Sequence, residues 1–97
     1  MRVVYSPRAI RDLEHIAAYY RAVADPKIAA AISERIERVI DRIGRQPQTA
    51  LRVVDRPDVR AVLVLRYPYK IFYRVRDGAV EILHIRHTAR RPWQHDD

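Results

Sequence analysis

The chain has 97 residues, of which 48% are hydrophobic, and a formal net charge of +7. This length is enough for one hydrophobic core and excludes two independent domains. The absence of cysteine excludes a disulfide framework and thiolate chemistry. The positive charge indicates an acidic partner, which could be nucleic acid, an anionic membrane or an acidic protein.

The N-terminal stretch lacks the apolar core of a signal peptide, and no segment approaches the roughly 18 apolar residues of a membrane span. We therefore expect a soluble, cytoplasmic protein. Arginine supplies 17 of the 19 basic side chains. Its guanidinium forms bidentate contacts with carboxylates and phosphates, although a GC-rich genome would also enrich it.

The first half of the sequence predicts a strand and two helices. Residues 2–5 form a short β-favouring run, and Ser6-Pro7 then supplies a helix N-cap and a first-turn proline. Asp25-Pro26 repeats this start signal, so the short link predicts an antiparallel helical hairpin. Gly44 is the predicted C-cap of the second helix. The predicted apolar stripes are Ile10, Leu13, Ala17 and Tyr20 in the first helix and Ile28, Ile32, Ile36, Val39, Ile40 and Ile43 in the second.

The second half predicts a loop and three strands. Residues 46–57 are polar and bounded by proline, which is typical of a loop, and strands follow at 59–65, 69–76 and 79–87. Asp77-Gly78 is a strong signal for a two-residue hairpin turn. That turn would pair Arg74 with Glu81, a favourable cross-strand charge pair, and also Phe72 with Leu83 and Lys70 with Ile85.

These elements predict a single α+β domain spanning residues 1–97. It consists of an N-terminal strand, an antiparallel helical hairpin and a three-strand antiparallel meander forming one sheet, in the order β-α-α-β-β-β. Residues 88–97 are predicted to be a basic tail.

Alternation along the last two strands predicts two faces. One carries Tyr69, Ile71, Tyr73, Val75, Val80 and Ile82, and the helical hairpin would cover it. The other carries Lys70, Phe72, Arg74, Leu83, Ile85 and His87. Because no predicted element covers the apolar residues of this second face, we expect a partner to bury them.

The element order, YSPRAIRDLEHIAAYYR, the hairpin RYPYKIFYRVRDGAVEILHIRH and the closing TARRPW together resemble the RelE/ParE superfamily of bacterial type II toxins. The resemblance covers nearly the whole chain. It implies a small toxin encoded beside an antitoxin that wraps and neutralises it. It also implies one of two activities, which are ribosome-dependent mRNA cleavage and poisoning of DNA gyrase.

The residues bear on which activity applies. An RNA-cleaving site needs clustered cations and a general acid–base group. The nuclease branch often has basic residues at positions that here match Ala61 and Leu63, and a late tyrosine used by several nucleases is missing. Lys70 matches a basic position of the family, and His87 and Arg90 could complete a nuclease site. We favour a ParE-like gyrase inhibitor with no catalytic residues, and the alternative is an mRNA endonuclease using Lys70, His87 and Arg90.

The resemblance also implies two partners. The predicted antitoxin-binding residues are Phe72, Leu83 and Ile85. The predicted target-binding residues, for gyrase or alternatively for the ribosome and mRNA, are Arg66, His87, Arg90, Arg91 and Trp93. The toxin and its antitoxin could form a hetero-oligomer. A third possibility for the function is an inactive homologue that only pairs with its antitoxin.

The spacing of His84 and His87 raises the question of a metal site. On a strand, an odd offset sends the two rings to opposite faces, so we expect no shared metal ion and no cofactor. His84 is instead expected on the core face as a hydrogen-bonded, half-buried histidine. Trp93 either pins the tail against the domain or contacts a partner.

Overall fold

A computed structural model describes residues 1–89 of the chain. The elements are β1 Arg2–Tyr5, α1 Pro7–Val23, α2 Pro26–Arg45, β2 Leu51–Val53, β3 Arg56–Val64, β4 Tyr69–Arg76 and β5 Ala79–His87. The strands form one sheet in the order β1-β5-β4-β3-β2. The α+β class and the strand–helix–helix–strands order are confirmed, but the sheet is mixed because β1 runs parallel to β5. Within residues 1–89, neither helix is long and apolar enough to span a membrane.

Both helices begin where the sequence predicts. The Ser6 side chain accepts a hydrogen bond from the Ala9 backbone N–H, and the Asp25 side chain accepts one from the Lys27 N–H. A proline follows each cap. The two-residue link between α1 and α2 gives the predicted helical hairpin.

The apolar stripes differ from the prediction at the start of each helix. Ile10 and Ile28 are about half exposed, at 48% and 52%. In α1 the face against the sheet is formed by Ala9, Leu13, Ile16 and Tyr20. The remaining predicted stripe of α2, from Ile32 to Ile43, is buried.

Gly44 lies inside α2 and does not end it. The helix continues to Arg45 and its C-cap is Gln46. The Met1 amino group donates a hydrogen bond to the Gly44 carbonyl at 3.0 Å. A Cβ added at Gly44 would lie 3.1 Å from the Val3 Cγ2 atom, so the glycine permits the close approach of β1.

The predicted loop at 46–57 contains β2 and the first residues of β3, so that prediction is wrong in part. β2 pairs antiparallel with β3, with Leu51 opposite Ala61, and the register shifts after Arg52. The segment before β2 is held by the Tyr73 hydroxyl, which donates to the Pro47 carbonyl at 2.6 Å. Three residues are too few for strand alternation to be visible in the sequence.

The β4–β5 hairpin has the predicted turn but changes register along its length. Asp77 and Gly78 both have positive φ, and Arg74 Nε lies 2.8 Å from Glu81 Oε1 as expected. Tyr73 pairs with Ile82, whereas Phe72 pairs with His84, so Leu83 is an extra residue on β5. The predicted pairs of Phe72 with Leu83 and of Lys70 with Ile85 are therefore wrong.

This β-bulge divides the apolar residues between two clusters. The main core lies between the helices and the sheet and includes Ile71, Tyr73, Val80, Ile82 and Ile85. A second, smaller cluster lies on the opposite face of the sheet and contains Val59, Phe72 and Leu83, with Val53 and Ala61 beside them. Val75, predicted to lie in the core, is 41% exposed.

Candidate functional site

The face of the sheet away from the helices carries an open groove of about 630 Å³, which we call the outer groove. Its residues come from β2 and the turn after it, from the second half of β3, from the first half of β4 and from the end of β5. They are Leu51, Arg52, Val53, Val54, Asp55, Ala61, Leu63, Lys70, Phe72 and Arg86. Most of the lining is apolar and most of its charged groups are cations, so the groove suits an anionic or amphipathic ligand.

Two cations lie over one aromatic ring at the base of the outer groove. Lys70 Nζ is 5.9 Å from the centre of the Phe72 ring, and Arg86 Cζ is 5.7 Å from it. Lys70 and Arg86 are also direct cross-strand partners. The negative face of the ring favours both cations, and two adjacent cations suit a carboxylate or phosphate.

Sequence reasoning identified Lys70 and Phe72 in this groove but missed Arg86. The available signal was the switch of apolar residues from positions 80 and 82 to positions 83 and 85, which is compatible with a bulge as well as with a regular strand. After the bulge, Arg86 shares the outer face with Lys70.

His87 lies on the opposite face from Lys70, so the predicted pairing of these two residues in a nuclease site is wrong. His87 is opposite Tyr69, and the two rings meet edge to face with centres 5.4 Å apart. It lines a separate cleft of about 380 Å³ beside α1, together with Asp12 and Tyr20. The bulge at Leu83 is the cause, because one inserted residue inverts the alternation that follows it.

The three predicted antitoxin-binding residues are not on one open face. Ile85 belongs to the helix-covered core and is 3% exposed. Phe72 and Leu83 lie on the outer face, but they are 5% and 9% exposed because the second cluster already buries them. Contact of an antitoxin with Phe72 and Leu83 stays a prediction, and it would have to reach them through the outer groove.

His84 is hydrogen-bonded as predicted, but it is buried rather than half-buried, and it lies outside the expected face. Its Nδ1 atom is 2.6 Å from Asp12 Oδ2, and its ring stacks on Phe72 at a centroid distance of 6.0 Å. The Ile85 backbone N–H also donates to Asp12 Oδ2, at 2.9 Å. Asp12 was missed, because nothing in a helical sequence indicates which distant strand its carboxylate contacts.

Of the remaining predicted target-binding residues, Arg66 lies within the part of the chain that the structure describes. Arg66 is exposed and has a positive φ of 75° in the turn between β3 and β4. The Thr88 N–H donates to the Pro68 carbonyl at 2.7 Å, which joins the start of the predicted tail to the turn that contains Arg66. Arg90, Arg91 and Trp93 lie outside the described residues.

No group of three His, Asp or Glu side chains within residues 1–89 is arranged to hold a metal ion. His84 and His87 have different neighbours, since His84 bonds to Asp12 and His87 contacts Tyr69.

Comparison with known proteins defines the class. The family described as the ParE toxin of the type II toxin-antitoxin system parDE matches residues 3–92. Toxin RelE2 of Caulobacter vibrioides is 33% identical over 89 residues, which are 92% of this chain and 97% of that protein. A solved chain of the chromosomal ParDE TA system from P. aeruginosa has a TM-score of 0.77 and 26% identity, covering 90% of this chain and 95% of its own length.

The chain belongs to the ParE toxin family, within the RelE/ParE superfamily. It is therefore a toxin of the type II toxin-antitoxin class, and membership implies an antitoxin as its protein partner.

Proposed function

We propose that this toxin arrests growth by inhibiting DNA gyrase and that a cognate antitoxin neutralises it. The observation that carries the proposal is the composition of the outer groove. Its described lining holds three cations, six apolar side chains and one aspartate, but no histidine, glutamate or tyrosine. Such a surface binds an anionic partner without reacting with it.

RNA cleavage would need proton transfer at the phosphate. A general base must accept a proton from the 2′-hydroxyl, and a general acid must protonate the leaving oxygen. An arginine guanidinium stays protonated and cannot act as the base. Asp55 is the single carboxylate among the described lining residues, and His87 lines the other cleft. These placements favour binding over catalysis.

The proposed contact surface for the gyrase–DNA complex is the basic end of the sheet. Arg66 is exposed there, and Thr88, the first residue of the predicted tail, is hydrogen-bonded to Pro68 in the same turn. Arg90, Arg91 and Trp93 would extend this surface. Contacts of arginine with DNA phosphates should weaken as salt concentration rises.

A second candidate function is ribosome-dependent mRNA cleavage, and the pairing of Lys70 with Arg86 favours it. Two neighbouring cations can stabilise the negative charge that develops on a phosphate during transfer. In that case the proton acceptor would have to come from the tail or from the ribosome.

The test is DNA supercoiling by purified gyrase in the presence of the toxin. We expect the wild type to inhibit supercoiling at about equimolar concentration and Arg66→Asn to inhibit it several-fold less, by loss of a phosphate contact. Asparagine tolerates the positive φ of Arg66. Arg76→Asn is the matched control, because Arg76 is an exposed arginine in the β4–β5 hairpin, and it should inhibit like the wild type.

The same proteins are added to a translating extract to measure mRNA cleavage. Unimpaired supercoiling at several-fold molar excess of folded toxin would overturn the gyrase proposal. Cleavage of mRNA by the wild type, abolished in a Lys70→Ala, Arg86→Ala double variant, would establish the nuclease instead.

A further inference from the structure

A second groove, of about 340 Å³, lies between α2 and β3, and we call it the edge groove. Four arginines of α2 line it, together with two leucines from β3 and the turn after it. The lining arginines and leucines are Arg35, Arg38, Arg42, Arg45, Leu63 and Leu65. Leu63 and Leu65 are 57% and 65% exposed, and Asp41 is the single acidic residue among the described lining residues. The edge groove is therefore strongly basic with an apolar floor.

The edge groove follows an edge of the sheet that lacks a neighbouring strand. β2 pairs with β3 between Arg56 and Ala61 and ends there. From Val62 to Val64, β3 has β4 on one side, and no strand of the described chain pairs with its other side. Unpaired strand edges are sites where another chain can add a strand.

The direction in which the backbone N–H and C=O groups of β3 point can be derived from the pairing of β5 with β4. The Ile85 N–H points away from β4, because it donates to Asp12. Its partner Ile71 must then direct its own N–H and C=O toward β3, where it pairs with Val62. Since neighbouring residues of a strand point their backbone groups to opposite sides, the N–H and C=O of Leu63 point to the open edge.

We propose that an extended acidic segment of the antitoxin adds as a strand to β3 at Leu63, in the edge groove. Its backbone would pair with the N–H and C=O of Leu63, its apolar side chains would pack on Leu63 and Leu65, and its carboxylates would meet the arginines of α2. The inference rests on the antitoxin partner that family membership implies, and it is independent of the gyrase target.

Two features favour a protein strand over nucleic acid. Free N–H and C=O groups at a strand edge match another backbone in both donor and acceptor. The exposed leucines offer apolar contact to alternate side chains of a strand, whereas a nucleic acid groove would present aromatic rings for base stacking. The described lining of the edge groove contains no aromatic residue.

The experiment compares two substitutions at one residue. Leu63→Pro and Leu63→Ala both remove the leucine side chain, but only proline removes the N–H. Because that N–H points away from β4, proline at this edge should leave the sheet intact. We expect Leu63→Pro to bind the purified full-length antitoxin about tenfold more weakly than Leu63→Ala, from the loss of one backbone hydrogen bond and the fit of the strand. Equal affinities of two folded variants would overturn the proposal.

Amide hydrogen exchange on the unmodified protein tests the same point without a substitution. In the free toxin the Val62 amide should exchange slowly, because it pairs with β4, and the Leu63 amide should exchange fast. Antitoxin binding should protect Leu63 at least tenfold. If Leu63 exchanges equally fast in the complex, the partner does not add a strand at this edge, whatever the behaviour of the proline variant.

The charge of the edge groove is tested with matched arginine pairs. The double variant Arg38→Gln, Arg42→Gln should associate with the antitoxin about threefold more slowly, and its association rate should depend less on salt concentration. Arg11→Gln with Arg21→Gln, on the exposed face of α1, is the control and should leave the rate unchanged. Binding of a 20-nucleotide single-stranded DNA probe is measured with the same variants. If the Arg38 and Arg42 substitutions abolish DNA binding but leave antitoxin association unaltered, the groove binds nucleic acid and the proposal is overturned. None of these readouts involves gyrase, so this inference and the gyrase proposal can fail separately.

Discussion

At the scale of single residues, Asp12 joins α1 to the bulged part of β5. β1 ends at Tyr5, so after Ile82 no strand of the described residues pairs with β5 on the side away from β4. Side chains of α1 and of its N-cap form hydrogen bonds with the backbone groups of β5 there instead. Ser6 Oγ donates to the Leu83 carbonyl at 2.8 Å, and Asp12 accepts from the Ile85 N–H at 2.9 Å.

Loss of the Asp12 carboxylate should therefore destabilise the fold. Asp12→Ala leaves the Ile85 N–H and the buried His84 ring without their acceptor, which should lower the free energy of unfolding by about 2–3 kcal/mol. Glu14→Ala, an exposed acidic residue of the same helix, should lower it by less than about 0.5 kcal/mol. Urea denaturation of both variants measures the difference, and similar losses in the two would refute the role of Asp12.

Tyr73 makes the stability of the fold depend on pH in the alkaline range. Burial raises the pKa of its hydroxyl above the ordinary value of 10.0, against the opposing effects of Arg60 and the backbone of Ala50. The folded protein therefore keeps this proton at a pH where the unfolded chain loses it. By linkage, the free energy of unfolding should fall as pH rises above 10.0.

Tyr73→Phe separates this effect from other titrations. The variant loses the hydrogen bond to Pro47 and about 1 kcal/mol of stability at neutral pH. Its stability should then decline less steeply than that of the wild type at alkaline pH. Parallel declines of the two proteins in thermal melts would contradict the assignment to Tyr73.

At the scale of elements, local signals predicted the parts of the fold that local chemistry determines. Ser6-Pro7 and Asp25-Pro26 start helices because the cap acceptor and the fixed proline φ act within a few residues. Asp77-Gly78 adopts the turn because both residues tolerate positive φ. These signals need no knowledge of the rest of the chain.

The sequence does not predict the β-bulge, although the bulge determines which residues of β5 share the outer groove with Lys70. β5 has apolar residues at both even and odd positions, which are Ile82, Leu83 and Ile85. A regular strand and a bulged strand therefore both fit the pattern. The regular strand keeps His87 with Lys70, whereas the bulged strand replaces it with Arg86. Asp12 and Ser6, far away in sequence, stabilise the bulged form by accepting and donating hydrogen bonds along it.

At the scale of the whole molecule, the two grooves meet at one residue. Leu63 lines both the outer groove and the edge groove. A strand bound at the edge of β3 would thus be separated from Lys70 by β3 alone, since Lys70 pairs with Leu63 from the β4 side. An antitoxin bound in this way would also restrict access to the cations of the outer groove.

The parallel pairing of β1 with β5 has a consequence for how the toxin is made. Val3 pairs with Val80, and Ser6 bonds to Leu83 across a separation of 77 residues. At the roughly 5–20 residues per second of protein synthesis, β1 waits about 4–15 s for its partner strand. During that interval the position of β5 between β1 and β4 is empty, so the growing chain cannot assemble the surfaces of the finished toxin.

Nascent chains stalled before Ala79 should accordingly be digested by a protease that leaves the released, full-length protein intact. Protease resistance in such stalled chains would show that the helices and β2–β4 fold without β5. If they are digested as expected, a cell gains a few seconds in which newly made antitoxin can meet a toxin that is still harmless.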